Sequence, residues 1–253
     1  MSSTQLNNKI AIVTGGSRGI GAAIAKFLAA RGATVVINYV TSSDSANEVV
    51  DSIKKEGGNA IAVQADMGTL EGPKQIVQAT VEAYHKIDII VNNAGVVNSA
   101  PLGAIDVARH DKVQNINVRG PLLLVHESLP YLQRNGRIIN VSSIAARVGL
   151  AGSSSYGASK AALEAMSRAW ASELGPSLGV TSNCINPGPT KTSLTETTNE
   201  AAIKRIGEIV NRSIMKRMAE GSDLCGAVGF LASEDSHWVT GDVISTNGGL
   251  YFL

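Results

Sequence analysis

The chain alternates short, β-branched apolar runs with longer alanine-rich stretches whose apolar residues recur at helical spacing. The runs occupy residues 10–14, 34–38, 60–64, 87–91, 137–141, 180–185 and 242–245. Each is nearly all apolar, the pattern of a strand covered on both faces. The stretches between them, such as 19–30, 45–56 and 70–86, read as amphipathic helices. A parallel strand needs a long crossover back over the sheet, and a helix supplies it. The expected fold is therefore α/β: a doubly wound, seven-stranded parallel sheet with helices on both faces.

No linker, internal repeat or low-complexity tract interrupts the pattern, so one domain over 1–253 is expected. A looser polar region from 187 to about 200 precedes an apolar-periodic stretch, 201–218. Late insertions of this kind tend to cover sites, which makes 193–218 the expected substrate loop. Composition closes off other classes. Apolar residues at 44% and charged residues at 17% are ordinary for a folded chain. With 22 basic against 21 acidic residues the net charge is +1, so neither nucleic acid nor an anionic membrane is an expected partner. Residues 1–8 are polar, the run 10–13 is too short for a signal-peptide core, and nothing approaches the roughly 18 apolar residues of a membrane span. Cys184 and Cys225 stand far apart in apolar segments and read as buried thiols in a reducing compartment. A cytoplasmic location is expected. No His/Cys/Asp cluster has metal spacing, so no catalytic metal is expected.

The turn after the first run reads Thr14-Gly15-Gly16-Ser17-Arg18-Gly19-Ile20-Gly21 and opens the first helix. Glycines there permit a tight turn and close backbone approach to a pyrophosphate. The free N–H groups and the positive end of the helix dipole then face the anion. The spacing Gly-x3-Gly-x-Gly departs from the strict dinucleotide fingerprint, so the position between strand and helix carries the argument. Gly15, Ser17, Arg18, Gly19, Ile20 and Gly21 form the expected cradle of a Rossmann-type nucleotide-binding domain. An NAD site places Asp or Glu about 20 residues further on, against the ribose 2′-hydroxyl. Here the second run ends Asn38-Tyr39-Val40-Thr41-Ser42-Ser43, with no carboxylate before Asp44. Arg18, with Asn38, Tyr39 and the hydroxyls of Thr41, Ser42 and Ser43, would hold a 2′-phosphate, which makes NADPH/NADP+ the expected cofactor. The plain alternative is a solvated loop.

Tyr156-Gly157-Ala158-Ser159-Lys160 opens a helical stretch that runs to about Glu173. A spacing of four puts tyrosine and lysine on one helix face. An ammonium beside a phenol favours the phenolate and is expected to lower its pKa, making it a proton donor to a carbonyl near neutral pH. Tyr-x3-Lys alone is common by chance and needs company. Ser143 closes the fifth run, thirteen residues before Tyr156, at the carboxyl edge where parallel sheets bind ligands. A hydroxyl there can stabilise a developing alkoxide. The fourth run ends in Asn92-Asn93-Ala94-Gly95, at the same edge, though an ordinary turn would read the same way.

Taken together and in order, the segment 14–21, Asp66, Asn92 to Gly95, Asn117, Ser143, Tyr156, Lys160 and Pro187-Gly188 resemble the short-chain dehydrogenase/reductase family in its single-domain form. The resemblance covers essentially the whole chain. It implies that Tyr156 is the general acid/base and that Ser143, rather than its neighbour Ser142, polarises the substrate oxygen. Lys160 would lower the Tyr156 pKa and bind the nicotinamide ribose. Asn117 matches the asparagine that anchors a water in the family's proton relay, with Asn115 as an ordinary helix-surface residue. Asp66 would meet the adenine amino group, with Met67 and Ala94 beside the nucleotide and Asn93 and Gly95 along its ribose. Pro187, Gly188, Thr190 and Thr192 would cap the nicotinamide carboxamide.

The implied activity is an NADPH-dependent carbonyl reductase, reversible as an alcohol dehydrogenase, acting on a small-molecule ketone or alcohol. The resemblance extends to 3-oxoacyl-carrier-protein reductases and fungal naphthol reductases. Two other readings remain: a nucleotide-sensing scaffold without catalysis, and an epimerase or dehydratase using the same Tyr/Lys chemistry. Substrate choice would lie in 144–155 and 193–218, the former giving an apolar wall through Val148, Leu150 and Ala151. The resemblance also implies a homotetramer, through helices near 106–134 and 156–174 and the last strand.

Overall fold

Ala11 and Val13 of the first strand pack into one apolar layer, while Ile12 between them packs into another. That alternation within a fully buried run is what a central parallel strand requires. The computed structural model describes residues 6–192 and 200–252. Its strands are β1 (Ile10–Val13), β2 (Thr34–Tyr39), β3 (Asn59–Gln64), β4 (Ile87–Asn92), β5 (Leu132–Val141), β6 (Thr181–Pro187) and β7 (Val243–Thr246). They form one sheet of seven strands in the order β3-β2-β1-β4-β5-β6-β7, every pairing parallel.

The helices are α1 (Gly19–Ala29), α2 (Ser43–Lys55), α3 (Gly72–Tyr84), α4 (Val107–Gln114), α5 (Gly120–Ser128), α6 (Ser154–Leu178), α7 (Glu200–Arg212) and α8 (Gly221–Ala232). One face of the sheet is covered by Ile24 and Leu28 of α1, Val49 and Ile53 of α2, and Leu224, Val228 and Leu231 of α8. The other is covered by Ile76 and Val77 of α3, Leu124 and Val125 of α5, and Leu163 and Trp170 of α6. Each such side chain, fully buried, contributes about 1.5–3 kcal/mol of transfer free energy. Both cysteines are buried, Cys225 within the first of these layers.

Several boundaries differ from the sequence reading, three of them by five residues or more. β5 begins at Leu132, upstream of its apolar run, because Leu132 pairs with Ile87 before an irregularity between Ile87 and Ile89. Across that irregularity β4 advances from Ile87 to Ile89 while β5 advances from Leu132 to Arg137, and Asn135 in the longer stretch stands at φ +58. α6 runs on through Pro176 and stops only at Gly179, whose φ of +66 is the left-handed conformation that ends helices. α7 ends at Arg212, short of 218, where the chain turns through Lys216 at φ +51. Of the expected substrate loop, residues 193–199 lie outside the described residues. Among the described residues no helix is long and apolar enough to cross a membrane.

Candidate active site

The strand order reverses between β1 and β4, since β2 continues to one side of β1 and β4 to the other. At such a switch point the loops leaving the two carboxyl ends diverge and open a crevice. The glycine turn leaves β1 into this crevice. Gly15 and Gly19 take φ of +61 and +56, conformations that side chains resist. A Cβ on Gly21 would fall 2.3 Å from the Gly15 carbonyl oxygen, so no larger residue allows α1 to start this close to the turn. The turn is braced from β4. Asn93 Nδ2 donates to the carbonyls of Thr14 (2.8 Å) and Gly15 (3.1 Å), and Thr14 Oγ1 accepts from the Asn93 and Ala94 amides.

Asn38 lines the cleft and also braces the turn. It is buried at the end of β2, its Oδ1 accepting from Gly15 N and its Nδ2 donating to Ala65 O at 2.9 Å. It thereby knits the glycine turn to β2 and β3. Ser43, the first residue of α2, is exposed, with its hydroxyl on Asp44. Arg18, Tyr39, Thr41 and Ser42 do line the cleft.

Ser142 and Ser143, adjacent at the end of β5, point to different partners. Ser142 Oγ donates inward to Glu164, whereas Ser143 faces the cleft beside Tyr156 and accepts from Ala145 N. Tyr156 sits in the first turn of α6 and Lys160 one turn later. The pKa reasoning from sequence needs correction here. Burial pushes the Tyr156 phenol above its ordinary value, and the Ser143 hydroxyl only partly offsets this. Lys160 is brought down to about 8 by burial, with Cys184 opposing the shift. Its Nζ donates to the Val141 carbonyl at 2.8 Å and lies 5.9 Å from the tyrosine ring centre. The lysine's positive charge is thus spent on the end of β5 as well as facing the tyrosine.

Asn117 lies in a π-helical turn, residues Asn115–Arg119, between α4 and α5. It is fully buried, Asn115 only partly. Its Oδ1 accepts from Val96 N, and its Nδ2 donates to Val96 O and Ser159 Oγ, all at 2.9–3.0 Å. Asn117 thereby fixes the loop after β4 against α6. A Cβ on Gly95 would lie 3.3 Å from Asn117 Oδ1 and 3.4 Å from Lys160 Nζ, so glycine lets this loop pass close to both.

After β6, Gly188 packs against the backbone of Asn247, and Thr190 bridges to Ala219. Thr192 lies over the glycine turn, with Cγ2 placed 3.2 Å from where a Gly19 Cβ would stand. Asp66, exposed after β3, accepts from Gly68 N at 2.8 Å. One cavity of about 1020 Å³ connects these parts. It is lined by Gly15, Ser17, Arg18, Gly19, Ile20, Gly21, Asp66, Met67, Asn93, Ala94, Gly95, Ser143, Tyr156, Lys160, Pro187, Gly188, Thr190 and Thr192. Of the residues expected from sequence to hold cofactor or substrate, Ser43, Asn117, Val148 and Ala151 are not in the lining, whereas Leu150 is.

The structure adds lining residues that sequence reasoning passed over, chiefly Val96 and Val97 after β4. These gave no signal, being two apolar residues in a loop after Asn92 to Gly95. Within the expected substrate segment it brings Arg205, Ile206 and Ile209 of α7 to the cleft, the two isoleucines at i, i+3 spacing on an amphipathic helix. Chemically, the cleft joins an anion-cradling helix start to a hydroxyl pair that can hold one substrate oxygen, an arrangement suited to hydride exchange between a nucleotide and a carbonyl or alcohol.

A family model described as enoyl-(acyl carrier protein) reductase matches residues 15–251. A short-chain dehydrogenase/reductase of Cladobotryum sp., FrzI, is 46% identical over 249 residues, covering 97% of this chain and 96% of that protein. A probable tetrahydroxynaphthalene reductase of Zymoseptoria tritici is 37% identical, covering 97% of this chain and 95% of the relative. Among solved structures, a blue fluorescent protein from a metagenomic library, in complex with NADPH, superposes with a TM-score of 0.93 at 38% identity. That match covers 98% of this chain and all of the other. The chain belongs to the short-chain dehydrogenase/reductase family of oxidoreductases.

Proposed function

We propose that the protein is an NADPH-dependent carbonyl reductase, reversible as an alcohol dehydrogenase, with Tyr156 as its general acid. The observation that carries this reading is the single cleft that holds both the glycine turn and the Ser143–Tyr156 pair. The residues present fit a phosphorylated dinucleotide. Gly15 and Gly19 keep the turn free of side chains at the start of α1, and Arg18, Thr41 and Ser42 line the cleft at the end of β2 with no carboxylate among them. NADP named with relatives of this fold supports the same choice, as in the NADPH complex described above.

NADPH supplies the reducing equivalent when bound. The rest falls to this chain. Ser143 hydrogen-bonds the substrate oxygen and Tyr156 Oη protonates it. Lys160 holds the nicotinamide ribose. Asp66 and Met67 meet the adenine, Asn93 and Gly95 shape the bed of its ribose, and Pro187, Gly188, Thr190 and Thr192 cap the carboxamide. Asn117 keeps the floor of the site in place and supports a water for proton resupply. Tetrahydroxynaphthalene reduction, in the name of one relative, supports an aromatic or cyclic ketone as substrate. We read the protein as a cytoplasmic homotetramer.

The test is NADPH consumption with α-tetralone, ethyl acetoacetate and menadione, repeated with NADH. Turnover of at least one of the three is expected, with the Michaelis constant for NADH well above that for NADPH. No turnover contradicts the activity, and an NADH constant equal to or below that for NADPH contradicts the cofactor.

A further inference from the structure

Glu164 is a buried acid to which the reaction scheme gives no task. It lies on α6, four residues beyond Lys160 and eight beyond Tyr156, with only 3% of its surface exposed. Both oxygens are engaged: Oε1 accepts from Ser142 Oγ at 2.7 Å, and Oε2 accepts from Arg147 Nε at 2.5 Å. A carboxylate taken out of water persists only where hydrogen bonds and an opposite charge replace its hydration. Ser142 and Arg147 are those replacements here.

Their places in the chain are informative. Ser142 immediately precedes Ser143, and Arg147 immediately follows the short 3₁₀ turn Ile144–Ala146 that Ser143 caps. One carboxylate therefore grips both ends of the segment carrying the serine that faces the cleft. The middle of the segment is seated on the same helix by close backbone approach, since a Cβ on Gly157 would fall 2.6 Å from the Ala145 carbonyl oxygen. Just upstream, the Val141 carbonyl receives Lys160 Nζ. Ser143 and Tyr156 stand on separate elements, a strand end and a helix, yet must meet one substrate oxygen. Glu164 rides on the same rigid helix as Tyr156 and holds the strand end against it.

We infer that Glu164 is a positioning residue that sets Ser143 in register with Tyr156. The inference rests on the reading of those two residues given above. Small misplacements of a reacting group cost up to about a hundredfold in rate, which bounds the expected effect. The experiment measures kcat and the NADPH Michaelis constant in the wild type, Glu164→Ala, Ser143→Ala and the double variant, using whichever of α-tetralone and ethyl acetoacetate is turned over faster. Glu164→Ala is expected to lower kcat about tenfold to a hundredfold while leaving the NADPH constant within about twofold. In the Ser143→Ala background the same change is expected to cost less than about threefold, because its effect passes through the absent hydroxyl.

A merely structural role would give the same fold-loss in both backgrounds, and that result overturns the inference. So does wild-type kcat in Glu164→Ala. Ser143→Ala with wild-type turnover overturns the reading of Ser143 and the inference with it, which separates the two failures. If Glu164→Ala does not fold, Glu164→Gln and Arg147→Met, each breaking the ion pair while sparing the bulk, take its place in the same cycle with the same deciding outcomes.

Discussion

Burial decides the charge of Lys160 before any ligand binds, and this has a measurable consequence. Its ammonium titrates at about 8 in the folded chain, against the ordinary lysine value of 10.5 that applies once the chain unfolds. Between those values the unfolded chain binds the extra proton, so unfolding free energy rises with pH across that window. The contribution is fully present above 10.5 and lost as pH falls through about 8. Lys160→Met removes it. The melting temperature of the wild type relative to this variant is therefore expected to climb from pH 8 to 10.5, and a flat difference would count against the burial assigned here. The identities of Tyr156, Lys160 and Ser143 were legible in the sequence because their spacing and strand-end positions are local. Their ionisation was not, because it depends on desolvation and, for the lysine, on Cys184, which only the packed sheet brings beside it. The bonds of the Asn38 amide to Gly15 and Ala65 were hidden for the same reason.

At the scale of elements, the turn from β1 into α1 tolerates no added atom at Gly21. A methyl group there would meet the Gly15 carbonyl at 2.3 Å and Asn93 Nδ2 at 2.5 Å, both of them parts of the brace between β1 and β4. Gly21→Ala is expected to destabilise the fold by about 1–3 kcal/mol through overpacking, and to weaken NADPH binding at least tenfold by opening the cradle. Urea denaturation and a fluorescence titration with NADPH check the two parts, and a variant matching the wild type in both would refute the account of the turn. The seven strands and most helices followed from periodicity, which works where an element is buried on a regular face. It failed where tertiary pairing overrides composition. The start of β5 at Leu132 depends on a partner in β4, and the π-helical turn that buries Asn117 has no residue signature of its own. The register of α7 over the cleft was equally hidden, since it depends on where the chain after β6 leads.

For the whole molecule, several large apolar side chains face outward on the surfaces proposed for assembly. Val107 on α4, Leu122 on α5 and Leu129 just beyond it are exposed there. Light scattering is expected to give near four times the 26.2 kDa chain mass, and Leu122→Asp to shift it downward. A monomer mass for the wild type would refute the tetramer. The catalytic proposal concerns every protomer alike and turns on a single oxygen atom, the Tyr156 phenol. The most direct measurement is turnover of NADPH with ketone by Tyr156→Phe, beside an NADPH titration of the same variant. The account predicts unchanged NADPH affinity with nearly all turnover lost, a general acid being worth about 10²–10⁴-fold. Activity within about tenfold of the wild type would contradict it.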